Sequence, residues 1–140
     1  MPEPVTLHAT TVAFGHEAVL LLGPSGSGKS ALGLQLMALG ARLVADDQTR
    51  ICRRDASLIA TCPPALAGLI EARGVGILRA DPLDQAEIIL AIDLAQTETD
   101  RLPPRRSTEI LGCTVALLHN SKTSHFPAAI AQYMLSGRSA

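Results

Sequence analysis

The sequence predicts a single α/β domain that is rich in β-strands, and three observations lead to this prediction. The chain has 140 residues, which is close to the length of one domain. Hydrophobic residues make up 47% of it and charged residues 18%, a balance that excludes a disordered chain. Short β-rich runs outnumber helical patterns along the sequence. We therefore expect one domain, residues 1–140, in which strands and helices do not alternate regularly.

The first forty residues predict a hairpin followed by a loop and a helix. Thr11–Phe14 and Ala18–Leu22 are short β-rich runs separated by a turn. Val19–Leu22 is apolar throughout, which is typical of a central strand that is buried on both faces. After a glycine-rich loop, the apolar residues within Ser30–Leu39 have helical spacing, and Gly40 is well placed to end that helix.

The rest of the chain predicts strands, two irregular segments and one final helix. Pro63 and Pro64 are expected to open a short helical turn that continues through Ile70. The polar segment Gln96–Ser107 is expected to be a loop. Pro127 is suited to the first position of a helix that reaches about Leu135. The remaining predicted strands are Arg42–Ala45, Thr49–Arg53, Leu58–Thr61, Val75–Leu78, Glu87–Leu94 and Cys113–Leu118.

Composition and charge exclude several classes of function. The net charge of −1 gives no general attraction to nucleic acid or to an anionic membrane. Aromatic residues are only 2% of the chain, too few for a surface on which bases stack. The three cysteines form no C-x-x-C pair, so neither a zinc knuckle nor a disulfide framework is indicated. Because no signal peptide or membrane-spanning run is visible, we expect a cytoplasmic protein without nucleic-acid or membrane partners.

A complete phosphate-loop pattern lies between the predicted strand and helix. Residues 23–30 read G-P-S-G-S-G-K-S and match G-x-x-x-x-G-K-[ST]. Consecutive backbone N–H groups there can surround phosphate oxygens, and the helix N-terminus adds its positive end. Lys29 is suited to the β- and γ-phosphates, and the Ser30 hydroxyl to Mg²⁺. The predicted nucleotide-binding residues are Gly23, Pro24, Ser25, Gly26, Ser27, Gly28, Lys29 and Ser30.

Two adjacent acids end the next predicted strand. Asp46 and Asp47 follow Arg42–Ala45, and Asp46 lies 17 residues after Lys29 (46 − 29). An aspartate at a strand end beside a phosphate loop usually holds Mg²⁺ or its water. Two neighbouring carboxylates can divide the work, one near the metal and one accepting a proton from an attacking hydroxyl. The alternative is a polar turn, because aspartate is common in turns.

A third motif allows a comparison with a known family. Residues Glu71–Leu78 read E-A-R-G-V-G-I-L, and on their own they are compatible with a surface ion pair. The segment nevertheless resembles the signature of HPr kinase/phosphorylase. Gly23–Ser30 resembles the phosphate loop of that family, and Leu43–Asp47 resembles its acidic strand end. His8, 15 residues before Gly23 (23 − 8), resembles the histidine that precedes the family's phosphate loop.

The resemblance implies both a fold and an activity. The fold would be a phosphate-loop catalytic domain related to phosphoenolpyruvate carboxykinase, with a mixed, β-rich central sheet. The activity would be ATP- and Mg²⁺-dependent phosphorylation of a serine on HPr or an HPr-like carrier protein. The family also removes that phosphate with inorganic phosphate and releases pyrophosphate. The chain is similar to the compact form of the family, which lacks the N-terminal domain of longer members, and family hexamers imply a homo-oligomer.

The resemblance also implies a role for each motif residue. Asp46 and Asp47 would form the acid/base and metal pair, and His8 would help to set their protonation. Glu71 would support the metal together with Ser30 and Asp47, and Arg73 would face phosphate. Two other functions remain compatible with the same motifs. One is a small-molecule kinase, and the other is a nucleotide-responsive binding module without catalysis.

Overall fold

A computed structural model describes residues 2–140 and contains eleven strands and two α-helices in that range. Over these residues, no helix is both long and apolar enough to cross a membrane. In chain order the elements are β1 (Val5–Leu7), β2 (Ala9–Phe14), β3 (Glu17–Leu22), α1 (Lys29–Ala38), β4 (Arg42–Ala45), β5 (Thr49–Arg54), β6 (Ser57–Thr61), a 3₁₀-helix (Pro64–Leu66), β7 (Leu69–Ala72), β8 (Gly76–Arg79), β9 (Gln85–Thr97), β10 (Arg106–Ile110), β11 (Cys113–Asn120) and α2 (Phe126–Ser136).

Nine of the strands form one mixed sheet. The order along it is β1-β5-β6-β9-β3-β2-β4, and β11 also pairs with β9 and carries β10 at its outer edge. β3 pairs with β2 antiparallel and with β9 parallel. β9 is long enough to pair with β6 near its start and with β11 farther along. The two remaining strands, β7 and β8, form a separate hairpin.

The central strand β3 is buried on both faces, as its sequence predicts. Val19 and Leu21 belong to the same apolar cluster as Leu36 of α1 and Ile130 of α2. Leu20 belongs to a second cluster that contains residues of β5, β6 and β11. Burial of apolar surface stabilises a fold by about 25 cal/mol per Å². Because β3 buries apolar side chains on both of its faces, this stabilisation holds it in the middle of the sheet. The phosphate loop therefore leaves the carboxyl end of a fixed strand.

Most predicted elements are confirmed to within one or two residues at their ends. These include the β2–β3 hairpin, α1, β4, the β5–β6 hairpin, β8 and β11. Gly40 follows α1 with a φ of 110°, a conformation that suits glycine and ends the helix. Pro127 lies in the first turn of α2, where its missing N–H leaves no helical hydrogen bond unmade.

The prediction of a helical turn that continues to Ile70 is wrong. The 3₁₀-helix ends at Leu66, Gly68 turns the chain with a φ of 73°, and β7 begins at Leu69. Burial alternates along β7, and Ile70 is only 1% exposed. A short apolar run shows no clear periodicity, so tertiary packing decided between turn and strand here.

The prediction of a loop from Gln96 to Ser107 is wrong at both ends. β9 continues to Thr97, and β10 begins at Arg106. β10 pairs only with β11, so it is an edge strand, and the alternate residues Ser107 and Glu109 on one of its faces are exposed. A half-exposed edge strand tolerates polar residues, which is why its sequence reads as a loop.

Candidate active site

The phosphate loop connects β3 to α1 and keeps its inner surface open. Gly26 and Gly28 have φ values of 83° and 98°, which side chains other than glycine rarely adopt. A Cβ atom at either position would meet no protein atom within 4 Å, because both residues border open space. Both also line a cleft on this side of the molecule. The loop therefore leaves room for an anion in front of the N-terminus of α1.

Lys29 supplies a buried positive charge to this loop. The residue is 7% exposed, and its Nζ donates hydrogen bonds to the carbonyl oxygens of Gly23 (2.7 Å) and Pro24 (3.1 Å). Within residues 2–140 no carboxylate lies within salt-bridge distance of this ammonium group. A buried charge is costly unless an opposite charge compensates it. The loop is thus suited to an anionic ligand such as a phosphate.

Asp46 lies beneath the loop and is held by three hydrogen bonds. It is 8% exposed, and its Oδ1 accepts hydrogen bonds from Thr10 Oγ1 (2.8 Å) and Ser30 Oγ (2.7 Å). Its Oδ2 accepts a hydrogen bond from the backbone N–H of Glu71 (3.0 Å). Asp46 therefore links β2, α1 and β7 at one point. It also lies next to the serine that is suited to Mg²⁺ in phosphate loops.

Asp47 has a different environment from its neighbour. Its φ of 68° turns the chain directly after Asp46, so the two carboxylates occupy separate places. The side chain of Asp47 is 61% exposed, and its Oδ1 lies 3.1 Å from His8 Nδ1. His8 Nε2 in turn lies 3.3 Å from Ser25 Oγ of the phosphate loop. Asp47 is thus an accessible carboxylate, whereas Asp46 is enclosed.

The β7–β8 hairpin forms the opposite wall of the site. A turn closes it, with the N–H of Val75 donating to the carbonyl of Ala72 (2.9 Å) and Gly74 adopting a φ of 86°. Ile70 packs into the core beside α1, which fixes the position of the hairpin. The side chains of Glu71 and Arg73 form no salt bridge among the described residues, so the simple surface ion pair is not seen.

These parts border one cleft of about 620 Å³. The sequence-predicted residues that line it are His8, Ser25, Gly26, Gly28, Lys29, Ser30, Asp47, Glu71 and Arg73. Gly23, Pro24, Ser27 and Asp46 are not part of its wall. Gly23 and Pro24 instead hold Lys29, and Asp46 holds Ser30. The three sequence motifs are therefore assembled around a single space.

The sequence reasoning missed several residues of the site. Thr10 contacts Asp46, and the only sequence signal for it is a polar pair, Thr10 and Thr11, inside an otherwise apolar strand. Leu34 and Gln35 of α1 line the cleft, although the helical pattern assigns Leu34 to the core. Cys62 does not line the cleft, but burial, and to a lesser degree the charge of Asp46, raise the pKa of its thiol. That thiol therefore remains protonated near the buried acid.

The fold and the cleft together define a phosphate-loop domain with an acidic strand end facing the loop. A match to a family model identifies it more closely. The chain belongs to the family described as the HPr serine kinase C-terminal domain, whose model matches residues 1–119. The predicted fold class, with a mixed and β-rich central sheet, is confirmed by this match and by a solved structure.

Individual relatives agree with the family. HPr kinase/phosphorylase of Limosilactobacillus reuteri is 34% identical over an alignment of 118 positions that covers 76% of this chain and 37% of the relative. The protein of the same name from Cupriavidus necator is 44% identical over 75 residues, 53% of this chain and 23% of the relative. The chain thus spans well under half the length of these curated relatives.

A solved structure matches almost the whole chain. The HPr(Ser) kinase/phosphatase from Coxiella burnetii superimposes with a TM-score of 0.77 and 26% sequence identity. The match covers 94% of this chain and 93% of that one. The similarity therefore extends beyond the motifs to the complete arrangement of strands and helices.

Proposed function

We propose that the chain is the catalytic domain of a serine kinase/phosphorylase that acts on HPr or an HPr-like carrier protein. One observation carries the proposal: a buried, uncompensated Lys29 and an accessible Asp47 face the same cleft. The first supplies an anion site, and the second supplies a proton acceptor beside it. Membership of the HPr serine kinase family supports a protein substrate over a metabolite.

The phosphate loop is the proposed site for ATP. Its open glycines and Lys29 would bind the β- and γ-phosphates, and Lys29 would then exchange its carbonyl partners for phosphate oxygens. Mg²⁺ would supply positive charge between these phosphates. Ser30, Asp47 and Glu71 are its proposed ligands, since all offer oxygen atoms, which Mg²⁺ prefers. All three residues line the same cleft, which supports their assignment as Mg²⁺ ligands.

Asp47 is the proposed proton acceptor. The serine oxygen of the carrier would form a bond to the γ-phosphorus while the bond between that phosphorus and ADP breaks. The serine proton would pass to the Asp47 carboxylate, whose only partner among the described side chains is His8. Asp46 is less suited to this step because it already accepts three hydrogen bonds. His8 would hold the Asp47 carboxylate in position.

The reverse reaction would use the same residues. An oxygen of inorganic phosphate would attack the phosphorus of the phosphoserine, and the bond to the serine oxygen would break. Asp47 would return its proton to that oxygen, and pyrophosphate would be released. Arg73 at the hairpin turn is the proposed contact for the transferred group, since guanidinium groups bind phosphate well.

The proposal also includes a location and an assembly. The three cysteines, Cys52, Cys62 and Cys113, are free thiols, which is usual for cytoplasmic proteins. We therefore place the activity in the cytoplasm, with residues 1–140 acting as one domain. We also propose that the chain forms a homo-oligomer, as the hexamers of the family do. Sedimentation of the purified chain measures its oligomeric state.

Transfer to a carrier tests the proposed function. The chain is incubated with ATP, Mg²⁺ and purified HPr-type carriers, and intact mass reports a gain of one phosphate. Lys29→Ala is the control, and its nucleotide affinity is expected to fall at least tenfold, about 1.4 kcal/mol. The proposal is contradicted if no carrier gains mass, or if small metabolites are phosphorylated instead.

A further inference from the structure

We propose that Thr10 is a positioning residue that fixes the Mg²⁺-binding side of Ser30 by acting through Asp46. The inference rests on the proposed function, because it concerns the metal–nucleotide site. Thr10 lies on β2 with no exposed surface, and its hydroxyl donates to Asp46 Oδ1 at 2.8 Å. The same oxygen accepts the Ser30 hydroxyl at 2.7 Å. Two hydroxyl groups from different elements thus meet at one carboxylate oxygen.

The direction of these hydrogen bonds determines what Ser30 offers to the cleft. A serine hydroxyl has one proton to donate and two lone pairs that accept. Ser30 gives its proton to Asp46, so its lone pairs remain free for a cation. Ser30 also lines the cleft, whereas Asp46 does not. The orientation of Asp46 therefore sets the orientation of the oxygen that would bind the metal.

Thr10 is suited to hold Asp46 because its own side chain is fixed. A Cβ at Gly33 of α1 would lie 3.0 Å from Thr10 Cγ2, so the helix approaches the Thr10 methyl group closely. The branched side chain of threonine has few rotamers. With its methyl group against α1, its hydroxyl points at Asp46. β2 and α1 together therefore fix the orientation of the Thr10 hydroxyl.

Thr11 provides a matched comparison on the same strand. It is equally buried, and its Oγ1 lies 2.8 Å from Thr49 Oγ1, a pair that shares no side-chain hydrogen bond with Asp46. Loss of either hydroxyl removes one buried hydrogen bond and a similar amount of stability. Only loss of the Thr10 hydroxyl removes a donor from Asp46. Comparison of variants at the two positions therefore distinguishes a role in metal binding from a role in stability alone.

The test measures Mn²⁺ binding in the presence of ADP, by electron paramagnetic resonance, for the wild type and for variants. Loss of a residue that orients a metal ligand typically weakens metal binding 10- to 100-fold, so Thr10→Val is expected to weaken it about tenfold. Thr10→Ser keeps the hydroxyl and is expected to bind Mn²⁺ within about twofold of the wild type. Thr11→Val is also expected to bind Mn²⁺ within about twofold of the wild type, although its melting temperature is expected to fall.

A second comparison covers the case in which Thr10→Val does not fold. Thr10→Ala and Thr10→Ser both lack the methyl group and differ only in the hydroxyl, so the tenfold difference is expected between them. Wild-type Mn²⁺ affinity in Thr10→Val or Thr10→Ala would overturn the inference, as would an equal loss in Thr11→Val. Absence of Mn²⁺ binding in the wild type would overturn it together with the nucleotide site. Normal binding without carrier phosphorylation would contradict the proposed function alone.

Discussion

At the scale of single residues, the two adjacent aspartates show how one backbone angle separates two chemical roles. Asp46 is enclosed and accepts three hydrogen bonds, whereas Asp47 is exposed beside His8. Two backbone hydrogen bonds accompany the left-handed conformation of Asp47: its carbonyl accepts the N–H of Ala9 on β2, and the carbonyl of Asp46 accepts the N–H of Gln48. Substitution at the two positions should therefore have different consequences.

Asp47→Asn is expected to abolish proton acceptance without affecting folding. An exposed amide of the same shape replaces the carboxylate, so the melting temperature should stay close to that of the wild type. Loss of a positioned general base costs about 10² to 10⁴ in rate. Turnover of a carrier protein and thermal unfolding of the same sample measure both effects. Near-wild-type turnover would refute the assignment of Asp47 as the base.

Asp46→Asn is expected to lower stability as well as transfer. Its carboxylate accepts hydrogen bonds at both oxygens, and an amide would place an NH₂ group against one set of donors. An unsatisfied buried polar group costs about 1–3 kcal/mol. Urea denaturation at neutral pH measures this loss. Equal stability of Asp46→Asn and Asp47→Asn would contradict the distinction between an enclosed and an accessible acid.

At the scale of elements, the β7–β8 hairpin brings Arg73 to the cleft on a turn that stands outside the main sheet. Arg73 is exposed and has no salt-bridge partner among the described residues. Arg73→Ala should therefore leave the melting temperature unchanged and reduce transfer more than nucleotide affinity. Calorimetric titration with ATP and a turnover assay separate these effects. Arg79→Ala, at the far end of β8, is the control; equal losses in both variants would exclude a specific role for Arg73.

The segment between β9 and β10 provides a pH-dependent test of an ion pair. Arg106 donates to both oxygens of Glu98 (3.2 and 3.1 Å), and these hydrogen bonds lower the pKa of Glu98. A carboxyl group with a lowered folded-state pKa stabilises the protein above its unfolded pKa of about 4.3. That contribution disappears as the pH falls through the folded-state pKa.

Glu98→Gln should therefore be less stable than the wild type at neutral pH and nearly equal to it well below pH 4. Urea denaturation across this pH range measures the difference, with Glu109→Gln as a control on the exposed face of β10. A stability difference that persists unchanged at low pH would show that Glu98 acts through packing and not through its charge.

At the scale of the whole molecule, the sequence predicts the parts that local chemistry determines. The phosphate loop has four fixed positions between an apolar strand and a helix, so its location needs no tertiary information. β3 is similarly clear, because burial on both faces leaves an uninterrupted apolar run. Each of these features contains its own signal within about ten residues.

Features that depend on distant contacts were not predictable in the same way. Thr10 and Asp46 are 36 residues apart, and their hydrogen bond exists only because β2 pairs with β4. The sequence of β7 is compatible with a turn, and only the burial of Ile70 in the core identifies it as a strand. Leu34 reads as a core residue, yet it borders the cleft because the hairpin stands opposite α1. The motifs are thus local, whereas their assembly into one site is a property of the sheet.

The nature of the phosphorylated atom tests the central claim most directly. An accessible carboxylate is suited to take a proton from a hydroxyl, whereas an imidazole already offers a lone pair and needs no such base. After incubation with ATP, Mg²⁺ and an HPr-type carrier, the product should be a serine monoester that survives brief acid treatment. Inorganic phosphate added without ATP should then remove the phosphate and yield pyrophosphate. An acid-labile product, or an acid-stable one that inorganic phosphate does not reverse, would contradict the account of this chain as a serine kinase/phosphorylase.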